Sequence, residues 1–145
     1  MGRTVIALVI SALALAGVVA ANAATAKTVK FEVALKGTNE KPAAPASNKG
    51  RVEVTLNTTT GKVCWDFKLA KIDGKPSQAH IHKGKAGVSG NIVVPLGANY
   101  KRQGCTSAAK SLVRSIAGHP ALYYVNVHNA KHPAGAMRGQ LARGT

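Results

Sequence analysis

Acidic side chains are scarce. The 145-residue chain has only Glu32, Glu40, Glu53, Asp66 and Asp73 against twenty lysines and arginines. So few carboxylates leave little material for paired-carboxylate acid–base catalysis or for orienting metal-bound histidines. The resulting formal net charge of +15 favours anionic partners. Aromatic residues are equally sparse, with one Trp, two Phe and three Tyr. A stacking platform for single strands is therefore missing, and no specific nucleic-acid partner is expected. There are two cysteines, and no C-x-x-C redox motif joins them. No serine sits in a G-x-S-x-G elbow. The glycine-rich segment Gly84 to Gly90 lacks the Lys-Ser/Thr that a phosphate-cradling loop needs. No enzyme mechanism assembles from these residues, and the chain is expected not to be an enzyme.

What is present begins with a leader. Met1-Gly2-Arg3 is a short basic start, Thr4 to Ala21 is apolar, and Ala21-Asn22-Ala23 is a small-x-small site. Those three parts make a secretory signal peptide over residues 1–23. Cleavage is expected after Ala23, with Ala26 as the second choice. A retained anchor is the rival reading, since the apolar run approaches the length of a bilayer span. No second apolar run of that length follows, so residues 24–145 are expected to form one secreted or periplasmic domain without a membrane span. In an exported protein the pair Cys64 and Cys105 reads as one disulfide, stabilising by about 3–4 kcal/mol on chain-entropy grounds.

The remainder reads as short alternating strands between turn residues, an all-β pattern. Val29, Phe31, Val33 and Leu35 alternate with polar partners. Val52, Val54 and Leu56 do the same, then Asn57 to Gly61 turns, and Val63, Trp65, Phe67 and Leu69 alternate back as a hairpin. Cys64 falls on the face opposite Trp65. Ala79 and Ile81 share one strand face, with Gln78, His80 and His82 on the other. Pro95 places its short strand at an edge or a strand end. Gly97 to Ser111 reads as irregular, and Ser111 to Ala117 as a short helix with Ser111 as a possible cap. Tyr123, Val125 and Val127 point one way from the strongest strand, with Tyr124, Asn126 and His128 on its other face. Met137 to Arg143 closes the chain as a last strand. The expected core is Phe31, Val33, Leu35, Val54, Trp65, Phe67, Ile81, Val125 and Val127.

His80 and His82 form an H-x-H whose rings project from one face, about 7 Å apart at the backbone. His128 on a neighbouring strand would complete a set of three imidazoles, which suits copper, zinc, nickel or iron. Three histidines with an open position also describe a catalytic zinc site. The plainer alternative is that these rings only hydrogen-bond to carbonyls or water. His119 and His132 lie beside prolines in turns and look less involved.

Three segments together resemble a known family. Leu35 to Pro42 follows L-x-G-x-x-E-x-P, and Ala79 to Gly90 follows A-H-I-H-x-G-x-x-G-x-x-G. Tyr124 to Leu141 follows Y-V-N-V-H-x-x-x-x-P-x-G-x-[IM]-R-G-Q-L. In order and spacing they resemble the chordin-type (CHRD) domain across nearly all of residues 24–145. The resemblance implies an immunoglobulin-like antiparallel β-sandwich, secreted or periplasmic, with a binding or structural role. Growth-factor binding belongs to proteins with further modules and is not carried over. A fainter similarity links the H-x-H and V-H strands to the copper-ligand strands of Cu,Zn superoxide dismutase. The zinc half and the bridging histidine of that site have no counterpart here, so dismutase chemistry is not expected.

Two functional readings follow. The first is a non-enzymatic exported binding module whose basic surface meets anionic envelope polymers or an extracytoplasmic protein. The alternative is a copper- or zinc-binding protein using His80, His82 and His128, with Asn126, Arg138 and Gln78 as polar neighbours of the site.

Overall fold

The computed structural model describes residues 27–142; the signal peptide expected over residues 1–23 lies outside them. Nine-residue β1 (Thr28–Lys36) and β2 (Lys49–Asn57) pair antiparallel along their whole length. β2 continues into β3 (Lys62–Lys71) through a turn in which Asn57 Oδ1 accepts from the amides of Thr59 and Thr60. That Asx geometry makes Asn57 the natural turn starter between two alternating runs. β4 (Pro76–Lys83), β5 (Ile92–Pro95), β6 (Gln103–Ser107), helix α1 (Lys110–Gly118), β7 (Tyr123–Asn129) and β8 (Met137–Gln140) follow. Among the described residues no helix is long and apolar enough to cross a membrane.

The strands run in the order β5-β4-β7-β8-β1-β2-β3-β6, with antiparallel pairing at every step. The β8–β1 junction rests on one register pair, Lys36 with Arg138. It divides the sheet into two halves whose apolar faces share one core. The fold is thus an all-β sandwich with one short helix, as the alternation requires. Gly139 makes the junction possible. A Cβ there would fall on the Ala34 carbonyl of β1, so only glycine lets β8 approach that closely.

All nine expected core residues are buried, at 5 % exposure or less. Trp65 is the largest of them, and its Nε1 donates to the Lys101 carbonyl at 3.0 Å, so burial leaves its one polar atom satisfied. Two local expectations need correction. Residues 103–107 form an edge strand rather than irregular chain. Gln-Gly-Cys-Thr-Ser has little strand propensity of its own, and pairing with β3 imposes the conformation. Gly104 opposes Trp65 in that ladder, where a Cβ would come within 2.7 Å of the indole. The second correction concerns Ser111, which does not cap α1. The helix begins at Lys110, its cap position is Ala109, and no side chain bonds the first turn. The apolar stripe Val113, Ile116 and Ala117 holds the helix instead, at the one-turn spacing that packs a helix onto a core.

Cys64 and Cys105 are register partners on the outer face of β3 and β6, and they form the expected disulfide. Pro95 ends edge strand β5, where its missing N–H costs the ladder nothing.

Candidate metal centre on the outer face of the second half-sheet

The strand register places the histidines together. His80 pairs with Asn126 and Gln78 with His128 across β4 and β7, while His82 pairs with Tyr124. Asn126 in turn pairs with Arg138 of β8. These residues share the face opposite Ala79, Ile81, Val125 and Val127, which enter the core. Outer sheet faces are ordinarily wet. Here His80 and His82 are each 7 % exposed and Arg138 is 4 % exposed.

Two loops cover them. The glycine-rich segment after β4 folds back so that the Gly90 carbonyl lies 2.8 Å from His82 Nδ1. The segment after β7 brings the Pro133 carbonyl to 2.9 Å from His128 Nδ1. A carbonyl can only accept, so both rings carry their proton on Nδ1 and keep an Nε2 lone pair. Gly90 is required because a Cβ would fall on the Lys83 carbonyl. Gly84 is confined between the Val88 carbonyl and the Tyr124 ring, at 3.0 and 3.1 Å from a built Cβ. Of these loop glycines only Gly87 needs a left-handed φ, at 78°. The glycines at 84 and 90 therefore serve close approach over the histidines more than turning.

The three rings face one another. Their centroids are 5.6 Å apart for His80 and His82, 5.0 Å for His80 and His128, and 6.0 Å for His82 and His128. One ligand nitrogen from each lies within 4.8 Å of the other two. Three buried nitrogens, His80 Nδ1, His82 Nε2 and His128 Nε2, have no hydrogen-bond partner. Burial holds all three rings below the usual histidine range. For His80 the pKa falls to about 4, with the nearby His128 and His82 adding to desolvation. For His82 and His128 desolvation is the largest cause, opposed by the carbonyls of Gly90 and Pro133 and, at His82, by the nearby Asn126 side chain. All three are neutral near pH 7 and so in the form that binds metal ions.

A stacked column supports His82. Tyr124 lies 4.8 Å from it at 9° between ring planes, and the Arg138 guanidinium sits 4.3 Å over the other side of Tyr124. The Tyr124 hydroxyl accepts from the Gly90 amide at 3.2 Å, tying the column to the loop that fixes the His82 tautomer. Arg138 Nε donates to Glu40 Oε2 at 2.6 Å, a pair 5 % and 1 % exposed. Its Nη atoms reach the Val88 carbonyl and Ser89 Oγ. Desolvation nonetheless pushes the Glu40 carboxyl upward, against the attraction of Arg138.

The expected polar neighbours have different placements. Arg138 enters the column, Asn126 is 1 % exposed between the histidine strands, and Gln78 is exposed beside His128. His119 is exposed, and His132 lies 3.6 Å from Asp73, away from the group of three. Sequence reasoning did not single out Glu40 or the stacking role of Tyr124. The available signal for Glu40 was its place as the fixed acid of the L-x-G-x-x-E-x-P segment in a chain with only five carboxylates.

The sequence profile of the CHRD domain matches residues 31–141. The chain belongs to the CHRD-domain family. No curated protein and no solved structure matches it. The three segments that carried the resemblance converge in this CHRD domain: Glu40 of the first meets Arg138 of the third, and Arg138 grips the Gly84–Gly90 loop of the second.

Proposed function

We propose that this CHRD domain is a non-enzymatic, extracytoplasmic metal-binding module that holds one copper ion on His80, His82 and His128. The observation that supports the reading is a partnerless, buried nitrogen on each of three rings that bring one ligand nitrogen apiece within 4.8 Å of the others. A buried polar atom without a partner costs about 1–3 kcal/mol, and one ion would satisfy all three. With metal–nitrogen bonds of about 2.0 Å the three nitrogens would stand about 3.4 Å apart. The site therefore closes by small ring rotations. The Gly90 and Pro133 carbonyls already fix two tautomers, the usual way a protein orients histidine ligands.

Copper is preferred for two reasons. Divalent copper stands above zinc in intrinsic affinity for nitrogen donors. Among the described residues no carboxylate joins the group, so the ligands are neutral and accommodate either copper charge. The disulfide and the expected leader suit an oxidising compartment outside the cytoplasm.

The test is calorimetric titration of the mature protein with copper and zinc salts. It should show one copper per chain, bound more tightly than zinc. His80→Ala, His82→Ala and His128→Ala should each weaken binding by about a hundredfold, while His119→Ala and His132→Ala leave it unchanged. Equal binding by the first three variants and the native chain would reject the site. Preferential zinc binding would keep the ligands and reject copper.

A further inference from the structure

A second surface stands apart from the histidines, on the outer face of the other half-sheet. Following the register across the β8–β1 junction, Arg138 pairs with Lys36, Lys36 with Lys49, and Lys49 with Lys71. The three lysines are exposed and occupy one transverse row on β1, β2 and β3. In the next row Arg51 pairs with Lys68, both exposed. A bulge between Lys49 and Gly50 opens a shallow groove of 400 Å³ beside them, lined by Lys49, Gly50, Arg51, Lys68, Leu69 and Ala70.

Like charges directly opposite on a sheet destabilise it, and no carboxylate lies in the Lys36–Lys49–Lys71 row, whereas Arg51 and Lys68 border a pocket shared with Glu32, Glu53 and Asp66. Among the described residues these five cations form no ion pair. Four of the five carboxylates pair with other cations. Glu40 is buried with Arg138, and Asp73 holds Lys131 at 2.6 Å. Glu53 and Asp66 sit in a third row with Glu32, where Lys30 and Arg102 pair with them. Charge on this face is thus sorted into bands, and the band nearest the junction is wholly cationic.

We propose that the Lys36–Lys49–Lys71 row, flanked by Arg51 and Lys68, binds a linear acidic polysaccharide bearing a carboxylate on each sugar. Adjacent strands lie about 4.8 Å apart, so the ammonium groups recur along a line, as the charges of such a polymer do. The face carries no aromatic side chain on which bases could stack. It also lacks a projecting helix for the major groove of a duplex. A bilayer would call for large exposed apolar side chains beside the cations. Those among the described residues, Val88, Ile92 and Leu122, belong to other segments. The surface does not depend on metal at the histidines.

The test uses the mature protein and fluorescently labelled polygalacturonate, with neutral dextran, duplex DNA and anionic phosphatidylglycerol vesicles as comparisons. Polygalacturonate should bind best, and affinity should fall steeply as salt rises. The triple variant Lys36→Gln/Lys49→Gln/Lys71→Gln should weaken binding by about tenfold and reduce the logarithmic salt slope by about two. Lys85→Gln/Lys101→Gln/Lys110→Gln removes the same charge from other exposed positions and should change affinity by less than about twofold. Equal losses in the two triple variants would overturn the proposal in favour of diffuse attraction. Tighter binding of DNA or vesicles, or no binding to polygalacturonate, would overturn it as well.

Discussion

Acid should destabilise the metal-free protein through His80 before most carboxylates titrate. In the unfolded chain this imidazole has its ordinary pKa of 6.5, and in the fold it falls to about 4. Below 6.5 the unfolded chain takes up a proton that the folded chain refuses. Stability therefore drops as pH falls from 6.5, with the loss complete below about 4. At about 1.4 kcal/mol for each tenfold change in proton affinity, His80 alone accounts for about 3 kcal/mol. His82 and His128 are shifted the same way, but the first proton in the cluster discourages the next, so the contributions do not simply add. Glu40 works in the opposite direction, because burial raises its pKa and acid relieves an uncomfortable charge. Comparing the native chain with His80→Gln isolates the histidine. Urea unfolding, followed by the fluorescence of the single buried Trp65 in metal-free buffer, gives stability at about pH 7 and about pH 4.5. The native chain should lose about 2–3 kcal/mol more than the variant between those values. Parallel losses would refute the claim that His80 is held neutral by its surroundings.

Other perturbations should behave as follows. Gly90→Ala puts a methyl onto the Lys83 carbonyl and moves the Gly90 carbonyl off His82. It should lower copper affinity about tenfold or more, read by titration against a folded control. Glu40→Ala strands the Arg138 guanidinium and should cost about 3–5 kcal/mol in chemical denaturation. The double change Glu40→Leu/Arg138→Met should recover much of that loss. Opening the disulfide with Cys64→Ser/Cys105→Ser releases a loop of sequence separation 41. It should cost about 4 kcal/mol, seen as a lower urea midpoint.

Much of this was legible in the chain because a period of two is a strong signal when one face is buried. β1, β2, β3 and β7 announce themselves through Val, Phe, Leu and Trp at alternate positions, and every core residue expected from that rule is buried. β6 was not legible, since Gln-Gly-Cys-Thr-Ser becomes a strand only against β3. The grouping of His80, His82 and His128 followed from strand faces alone. Their burial did not, because it depends on two loops that fold over an outer sheet face. Those loops are held by contacts distant in sequence, such as Arg138 to Val88 and Tyr124 to Gly90. Local pattern carries no trace of such long-range closures. The pairing of Glu40 was hidden for the same reason, its partner lying 98 residues away.

X-ray absorption at the copper edge of the loaded protein reads the donors around the ion without an intermediary. Three imidazole nitrogens at about 2.0 Å are expected, with outer-ring scattering for three rings that falls to two in His128→Ala. A first shell of oxygen donors, or a spectrum unaltered by that substitution, would contradict a site of three histidines.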